Sequence, residues 1–442
     1  MSKNILIIGA GKSSPYLLEY LYNRRLILDI YITVLADKKP EYFDKNFKDL
    51  NFIRSNIDDS NNLKKLIKDT FVLISLLPAT LHYKIAEICS KMGVNMITAS
   101  YLDENIKKLN SEFLKNNSFL FMEMGLDPGI DHMSAMKVID ELKLKYKIEE
   151  FESYTGGLIN YNKEENPWGY KFTWNPMNVI LAGSDNAYFI ENYEKVFVPY
   201  NRLFQSTKNI LIPNVGHYEG YPNRDSLKYK DLYGLDNIKT LRRGTLRNKS
   251  YCSSWHVFVE LGLTNNSLVI NDINDMTHFE FFSKSEKIKS RSSFIKFLYK
   301  KFNINEDSQE IKNLYWIGMF SDEKVSLKSG TSAEILLHII SKKWTLNEGE
   351  LDLIVMYHTF KYVENKTMKM LISYLKVKGE SKVKTAMAKT VGLPIALLVE
   401  HIIENNLKFK GINLPFRKEI YLPILSKLKE NGISFKEEII NI

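Results

Sequence analysis

Between Asn4 and Met124 short apolar runs alternate with longer amphipathic ones, and this alternation restricts the possible folds more than any other feature of the chain. The runs Asn4–Gly9, Tyr31–Ala36, Asn51–Ile53, Phe71–Ser75, Asn95–Thr98 and Phe119–Met124 are apolar at nearly every position, as parallel strands covered on both faces require. The intervening segments SSPYLLEYLYNR, DSNNLKKLIKD, LHYKIAEICSKMG and DENIKKLNSEFLKNN read as helices with one apolar stripe. Strand and helix in strict alternation predict an α/β unit built on a parallel sheet.

Between the first run and the first helix lies Gly9-Ala10-Gly11-Lys12-Ser13-Ser14. A first glycine permits the tight turn, a second lets the backbone approach a pyrophosphate, and helix N–H groups favour its charge. Ser14 stands at the third small position. In this setting the motif predicts a Rossmann-like dinucleotide-binding domain using NAD(P)(H). Asp37, just after the second strand, suits an adenosine ribose and repels a 2′-phosphate, which favours NAD; Lys38 and Lys39 beside it could instead hold that phosphate.

At 442 residues the whole chain is too long for one core. Residues 130–250 mix strands with Gly, Pro and Tyr, as a sheet domain with functional loops would, and residues 251–349 look helical. Strand-like alternation returns from Leu351 to Val377, an apolar helix fills Thr385–Asn405, and the tail FKEEIINI suits a late strand. The expected division is 1–128 with a return over 385–442, then 129–250 with 350–384, then 251–349. A formal charge of +9 is mostly scattered Lys, so nucleic acid is not an expected partner. Cys89 and Cys252 have neither disulfide nor metal-ligand spacing, which predicts no metal and fits a reducing cytoplasm. No apolar run approaches membrane-spanning length.

Of the ten arginines, Arg224, Arg242, Arg243 and Arg247 crowd into one segment. Asp127, in GLDPG after the sixth strand, sits where ligands of open α/β sheets collect; it is a candidate acid–base group or a helix cap. The elements MEMGLDPGIDHMSAMKVID, SYTGGLINYNKEENPWGYKFTWNP, YPNRDSLKYKDLYGL with RRGTLR, WIGMFSDEKV and TAMAKTVGLPIAL occur in this order. With them the chain resembles the saccharopine dehydrogenases of the L-glutamate-forming type, nearly end to end.

That resemblance implies a reversible reaction in which L-glutamate and 2-aminoadipate 6-semialdehyde form an imine that a nicotinamide hydride reduces to saccharopine. It implies NADP, a homodimer, and three domains: dinucleotide-binding, an α+β sheet domain for substrate and dimerisation, and a helical domain. Carried over by motif, Ser100, Tyr101, Asp127, Arg224, Arg243, Gly244 and Thr245 contact substrate, and Asp127, Tyr101 and Thr155 serve catalysis. Thr155 stands where relatives have Cys, and Met177 where they often have Arg. The implied cofactor contacts are Gly9, Ala10, Gly11, Lys12, Asn56, Ile57, Ser75, Leu76, Ala99, Ser100, Leu126, Asp127, Pro128, Trp174 and Asn175. His132 is expected to be a structural hydrogen-bonding group. Planar guanidinium forks suit a tricarboxylate better than Lys does. They argue against the diamine substrate of the similar carboxynorspermidine dehydrogenases. A non-catalytic NAD(P)-sensing protein is a third reading.

Overall fold

The computed structural model describes residues 2–47, 49–55, 60–160, 165–182 and 185–442. The chain forms two compact units, Met1–Lys145 with Gly379–Phe435, and Tyr146–Lys378 with Lys436–Ile442. Strands β1 (Lys3–Ile8), β2 (Ile30–Ala36), β3 (Asn51–Arg54), β4 (Val72–Ser75), β5 (Asn95–Thr98) and β6 (Phe119–Phe121) belong to the first. The second holds β7 (Ile148–Asn160), β8 (Ala187–Glu191), β9 (Glu194–Val198), β10 (Lys208–Ile212), β11 (Gly216–Pro222), β12 (Thr240–Arg247), β13 (Val269–Asn271), β14 (Ser329–Thr331), β15 (Leu351–Glu364) and β16 (Thr367–Lys378). The chain then adds β17 (Gly411–Asn413) to the first sheet and β18 (Phe435–Asn441) to the second.

The first sheet is parallel in the order β17-β6-β5-β4-β1-β2-β3, so the predicted Rossmann-like unit is present with one unanticipated edge strand. Strand order reverses between β1 and β4, and at such a switch point the loops after the strands splay apart and leave a crevice. The helix expected over 103–117 is instead two short pieces, Glu104–Lys107 and Asn110–Lys115.

The apolar helix Ala386–Glu404 is long and apolar enough to span a bilayer, contrary to the expectation that no run is, yet most of it is buried in the protein. It packs on the first helix, Pro15–Arg24: a Cβ at Gly392 would lie 2.9 Å from Leu17 N and 3.1 Å from Ser13 O. The expected boundary at 128 falls at 145, because helix Ile130–Lys143 packs on helix Lys418–Glu430, where Tyr421 donates to Asp140 at 2.6 Å.

The second sheet is mixed, with nine strands on a path β10-β11-β12-β7-β15-β16-β18 and the β8–β9 hairpin beside β12. The helical stretch expected as a third domain shares this unit, because Trp168, Tyr170 and Phe172 stack into one core with Tyr251, Trp255 and Trp344.

Glu400 ties the first unit's helices together. Only 1% exposed, its carboxylate accepts from Tyr20 (2.8 Å), Arg24 (2.6 Å) and Lys427 (2.5 Å). Burial by itself raises a carboxyl pKa; here the bonds from Lys427 and Tyr20 and the charges of Lys427 and Arg24 win, leaving Glu400 below its ordinary value of 4.5. A carboxylate depressed on folding stabilises the protein above its unfolded pKa and loses that contribution as pH falls through the folded one. Glu400→Gln should therefore cost about 3 kcal/mol at pH 7. The deficit should shrink below about pH 4, as thermal unfolding across pH will show.

Candidate functional site

Among the described residues, those predicted for the first unit lie at or just after the carboxyl ends of its strands. Gly9 N donates to Leu35 O at 2.9 Å and Leu76 N to Ile8 O at 2.8 Å, so the loops after β1, β2 and β4 are laced together. Ser14, fully buried, replaces the third glycine and donates its hydroxyl to Gly11 O at 2.8 Å, which holds the turn closed. A Cβ at Gly11 would meet no protein atom within 4 Å, so nothing inside the fold demands glycine there; an approaching pyrophosphate would. Beside it, the Lys12 side chain reaches solvent, though partial burial lowers its pKa. These residues fit a dinucleotide. Asn56 and Ile57 lie outside the described residues.

The leaning toward NAD drawn from Asp37 finds no support. Asp37 Oδ1 accepts from Lys38 N at 2.8 Å, so the carboxylate caps its own turn. Arg54, at the end of β3, donates from Nε to Asp37 O at 3.1 Å and brings a guanidinium to that turn. Sequence reasoning missed Arg54. Its signal was an arginine ending the run NFIR, beside the second strand in the expected order.

Tyr101 and Asp127 meet: the phenol donates to Asp127 Oδ1 at 2.6 Å. Both loops are braced from below. Glu123 N donates to Ser100 O at 3.0 Å, and Glu123 Oε1 accepts from Leu102 N at 3.0 Å, flanking Tyr101 on both sides. The other carboxylate oxygen of Glu123 lies 3.0 Å from His132 Nε2, and the His132 ring packs against Phe416, tilted, at 4.8 Å. Asp131, whose carboxylate lies 3.6 Å from His132 Nδ1, accepts from Gly129 N at 2.6 Å and holds the far end of the GLDPG loop. His132 is wholly buried. The loop is tight enough that a Cβ at Gly129 would sit 2.1 Å from Gly125 O. Ala99 lies at the same edge, against Gly125, and Leu126 and Pro128 are buried in the loop itself.

A buried imidazole also joins the sites expected at Ser75 and Ser100. His82 Nδ1 is 3.0 Å from Ser75 Oγ, and Nε2 is 2.7 Å from Ser100 Oγ. Burial pushes the ring's pKa down to about 4. His82 was missed as well; its signal was a histidine on the helical stripe it shares with Ile85, Ala86 and Cys89.

In the second unit β12 and β7 run parallel, pairing Arg243 with Ser153, Gly244 with Tyr154 and Thr245 with Thr155. Side chains alternate along a strand, so Arg243, Thr245 and Thr155 share one face. The YPNRDS loop is fastened to this strand by its backbone: Asn223 N donates to Arg243 O at 2.9 Å, and Ser226 Oγ accepts from Arg243 N at 3.0 Å. Arg224, exposed, stands in the loop between those two anchors, so its backbone lies beside that of Arg243. Arg243 is 4% exposed with its guanidinium 4.5 Å from the Tyr229 ring.

Gly244 has a packing reason of its own, since a Cβ there would lie 2.4 Å from the Tyr154 ring. Thr155 is buried, and its hydroxyl has no hydrogen-bond partner among the described residues. Asn175 caps helix Pro176–Leu181 through Met177 N at 3.1 Å, and Trp174 and Met177 pack against the aromatic core.

The other two arginines are not surface residues. Arg242 stacks 3.9 Å from Phe189 and binds Glu191 at 3.0 Å. Arg247 lies among Tyr170, Tyr221 and Tyr251 at 4.9, 5.9 and 5.1 Å and donates to Leu246 O at 2.9 Å. Both cysteine thiols are buried, which raises their pKa and leaves no reactive thiolate. No metal-holding cluster occurs among the described residues.

Two family models match the chain: the saccharopine dehydrogenase NADP binding domain over residues 5–120 and the saccharopine dehydrogenase C-terminal domain over residues 125–433. The chain is 31% identical to the NADP(+), L-glutamate-forming saccharopine dehydrogenase of Schizosaccharomyces pombe, across 99% of each chain. It is 34% identical to the mitochondrial alpha-aminoadipic semialdehyde synthase of Rattus norvegicus over 99% of this chain and 48% of that protein, so it spans about half the length of that relative. Among solved structures, apo saccharopine dehydrogenase (L-Glu forming) from Saccharomyces cerevisiae superposes with a TM-score of 0.85 at 28% identity, covering 99% of this chain and 100% of that one. A homospermidine synthase from Legionella pneumophila shares the fold at a TM-score of 0.59 and 11% identity, over 99% of this chain and 92% of that one. A glycine turn that fits a pyrophosphate, a phenol–carboxylate pair at the same sheet edge, and family models that match most of both units agree: the chain belongs to the saccharopine dehydrogenase family.

Proposed function

We propose that this protein is an NADP-dependent oxidoreductase that interconverts saccharopine with L-glutamate and 2-aminoadipate 6-semialdehyde. In the synthetic direction the glutamate nitrogen adds to the aldehyde and water leaves; the imine carbon then takes a hydride and the nitrogen takes a proton. Bound NADPH supplies the hydride. The observation that carries the reading is the 2.6 Å bond from Tyr101 to Asp127, a proton-holding pair at the sheet edge where ligands of such folds collect. We assign Asp127 and Tyr101 the delivery and removal of protons at the reacting nitrogen and the departing oxygen. Thr155 is a hydroxyl donor to substrate, a role suited to a hydroxyl that has no hydrogen-bond partner among the described residues.

Arg224 and Arg243 bind substrate carboxylates, with Ser100 and Thr245 adding hydroxyl donors. Gly9 to Lys12 receive the pyrophosphate, Ser75, Leu76, Ala99 and Leu126 to Pro128 border the nicotinamide, and Arg54 with Lys38 faces the 2′-phosphate. Trp174 and Asn175 remain cofactor contacts by motif alone. The two free, buried cysteines support a reducing cytoplasmic setting, and the family likeness supports a homodimer.

Purified protein given saccharopine and NADP should produce reduced nicotinamide, seen by its near-ultraviolet absorbance, and release glutamate. Binding of both ligands without turnover would sink the enzyme reading. Replacing the Arg243 fork by a point charge, Arg243→Lys, should raise KM for saccharopine at least about tenfold while KM for NADP stays near wild type. Arg54→Ala should weaken NADP about tenfold and leave NAD unchanged; equal losses for both cofactors would remove Arg54 from the 2′-phosphate.

A further inference from the structure

Ser75 ends β4 and Ser100 follows β5, on neighbouring strands, and one side chain spans them. His82, 1% exposed, enters from helix Ala79–Met92 with Nδ1 at 3.0 Å from Ser75 Oγ and Nε2 at 2.7 Å from Ser100 Oγ. Thr98 Oγ1 also faces Nε2, at 3.4 Å, and accepts from Ser100 N at 3.4 Å. A neutral imidazole has one donor and one acceptor nitrogen. A ring N–H can be shared between two oxygens, whereas a ring lone pair takes one proton; two hydroxyl oxygens at Nε2 therefore mark it as the donor.

From this geometry we infer that His82 is a positioning residue: its Nε2–H holds Ser100 Oγ as acceptor, so that the Ser100 O–H turns away from the ring as a donor for a substrate carboxylate. Nδ1 then accepts from the Ser75 hydroxyl, which leaves the Ser75 lone pairs for the cofactor side. The arrangement needs the neutral ring, since an imidazolium would donate from both nitrogens. Burial lowers the ring's pKa to about 4, against an opposing pull from Asp103, the charged group that acts on it.

The carboxylate role rests on the saccharopine reading; the tautomer does not. The two shortened amides separate the ring's two ends, because an Asn amide reaches the Nδ1 position and a Gln amide the Nε2 position. In saccharopine oxidation by the full chain, His82→Asn should raise KM for saccharopine about tenfold and leave KM for NADP within about twofold, while His82→Gln stays within about threefold of wild type. Ser100→Ala should match His82→Asn in KM for saccharopine, and on that constant the double variant should be no worse than either single one. Multiplying losses, or equal losses for saccharopine and NADP, would overturn the positioning role. Independently of turnover, nitrogen-15 spectra of the histidine rings should show His82 as the neutral Nε2–H tautomer from about pH 5 to 8, altered in Ser100→Ala. An Nδ1–H or titrating ring would refute the inference even if saccharopine is the substrate. Absent wild-type turnover with the expected ring spectrum would instead remove the saccharopine reading and retain the tautomer.

Discussion

The architecture of the first unit depends on a contact with no side chain in it. Gly392, in the helix that returns near the chain's end, lets that helix approach within van der Waals distance of the backbone at Ser13 and Leu17, directly behind the glycine turn. A side chain there would push the first helix outward and open the turn that its N–H groups close. Glu400, two turns further along, repeats the coupling electrostatically by joining helices Pro15–Arg24 and Lys418–Glu430. The glycine turn is thus formed by residues near the start of the first unit and held by residues that return to it far along the chain.

The second unit solves a different problem, which is how to keep guanidinium groups in a protein interior. A buried charge needs a partner or a polarisable surface. Arg242 has a carboxylate and a ring, and Arg247 has three tyrosine rings and a carbonyl. These two hold the sheet and the aromatic core together. Arg243 and Arg224 are set apart from them by the YPNRDS loop, whose backbone bonds to Arg243 leave Arg224 at the surface beside it. One compact cluster in the sequence is therefore two structural arginines and two candidate ligand-binding ones.

At the sheet edge of the first unit few atoms form the candidate site and many form its scaffolding. The Tyr101–Asp127 pair rests on Glu123, His132 and Asp131, all essentially buried, which brace the two loops from opposite sides. Such bracing holds the phenol and the carboxylate within hydrogen-bond reach of each other before any ligand binds. His82 does the same for Ser75 and Ser100.

The periodicity of the first 124 residues was enough for the parallel sheet, its glycine turn and the position of Asp127, because strand alternation and turn chemistry are local properties. The motif order was enough for the family. Local pattern could not reveal that residues 130–143 pack with 418–430, that the stretch from Tyr251 to Trp344 shares a core with Trp168, or that β17 extends the first sheet, since each depends on partners far along the chain. Nor could it sort four neighbouring arginines by burial, turn the Asp37 carboxylate into its own loop, or place one histidine between two serines. Composition and spacing determine which groups are available; which of them lose water and find each other is settled only when distant segments close over them.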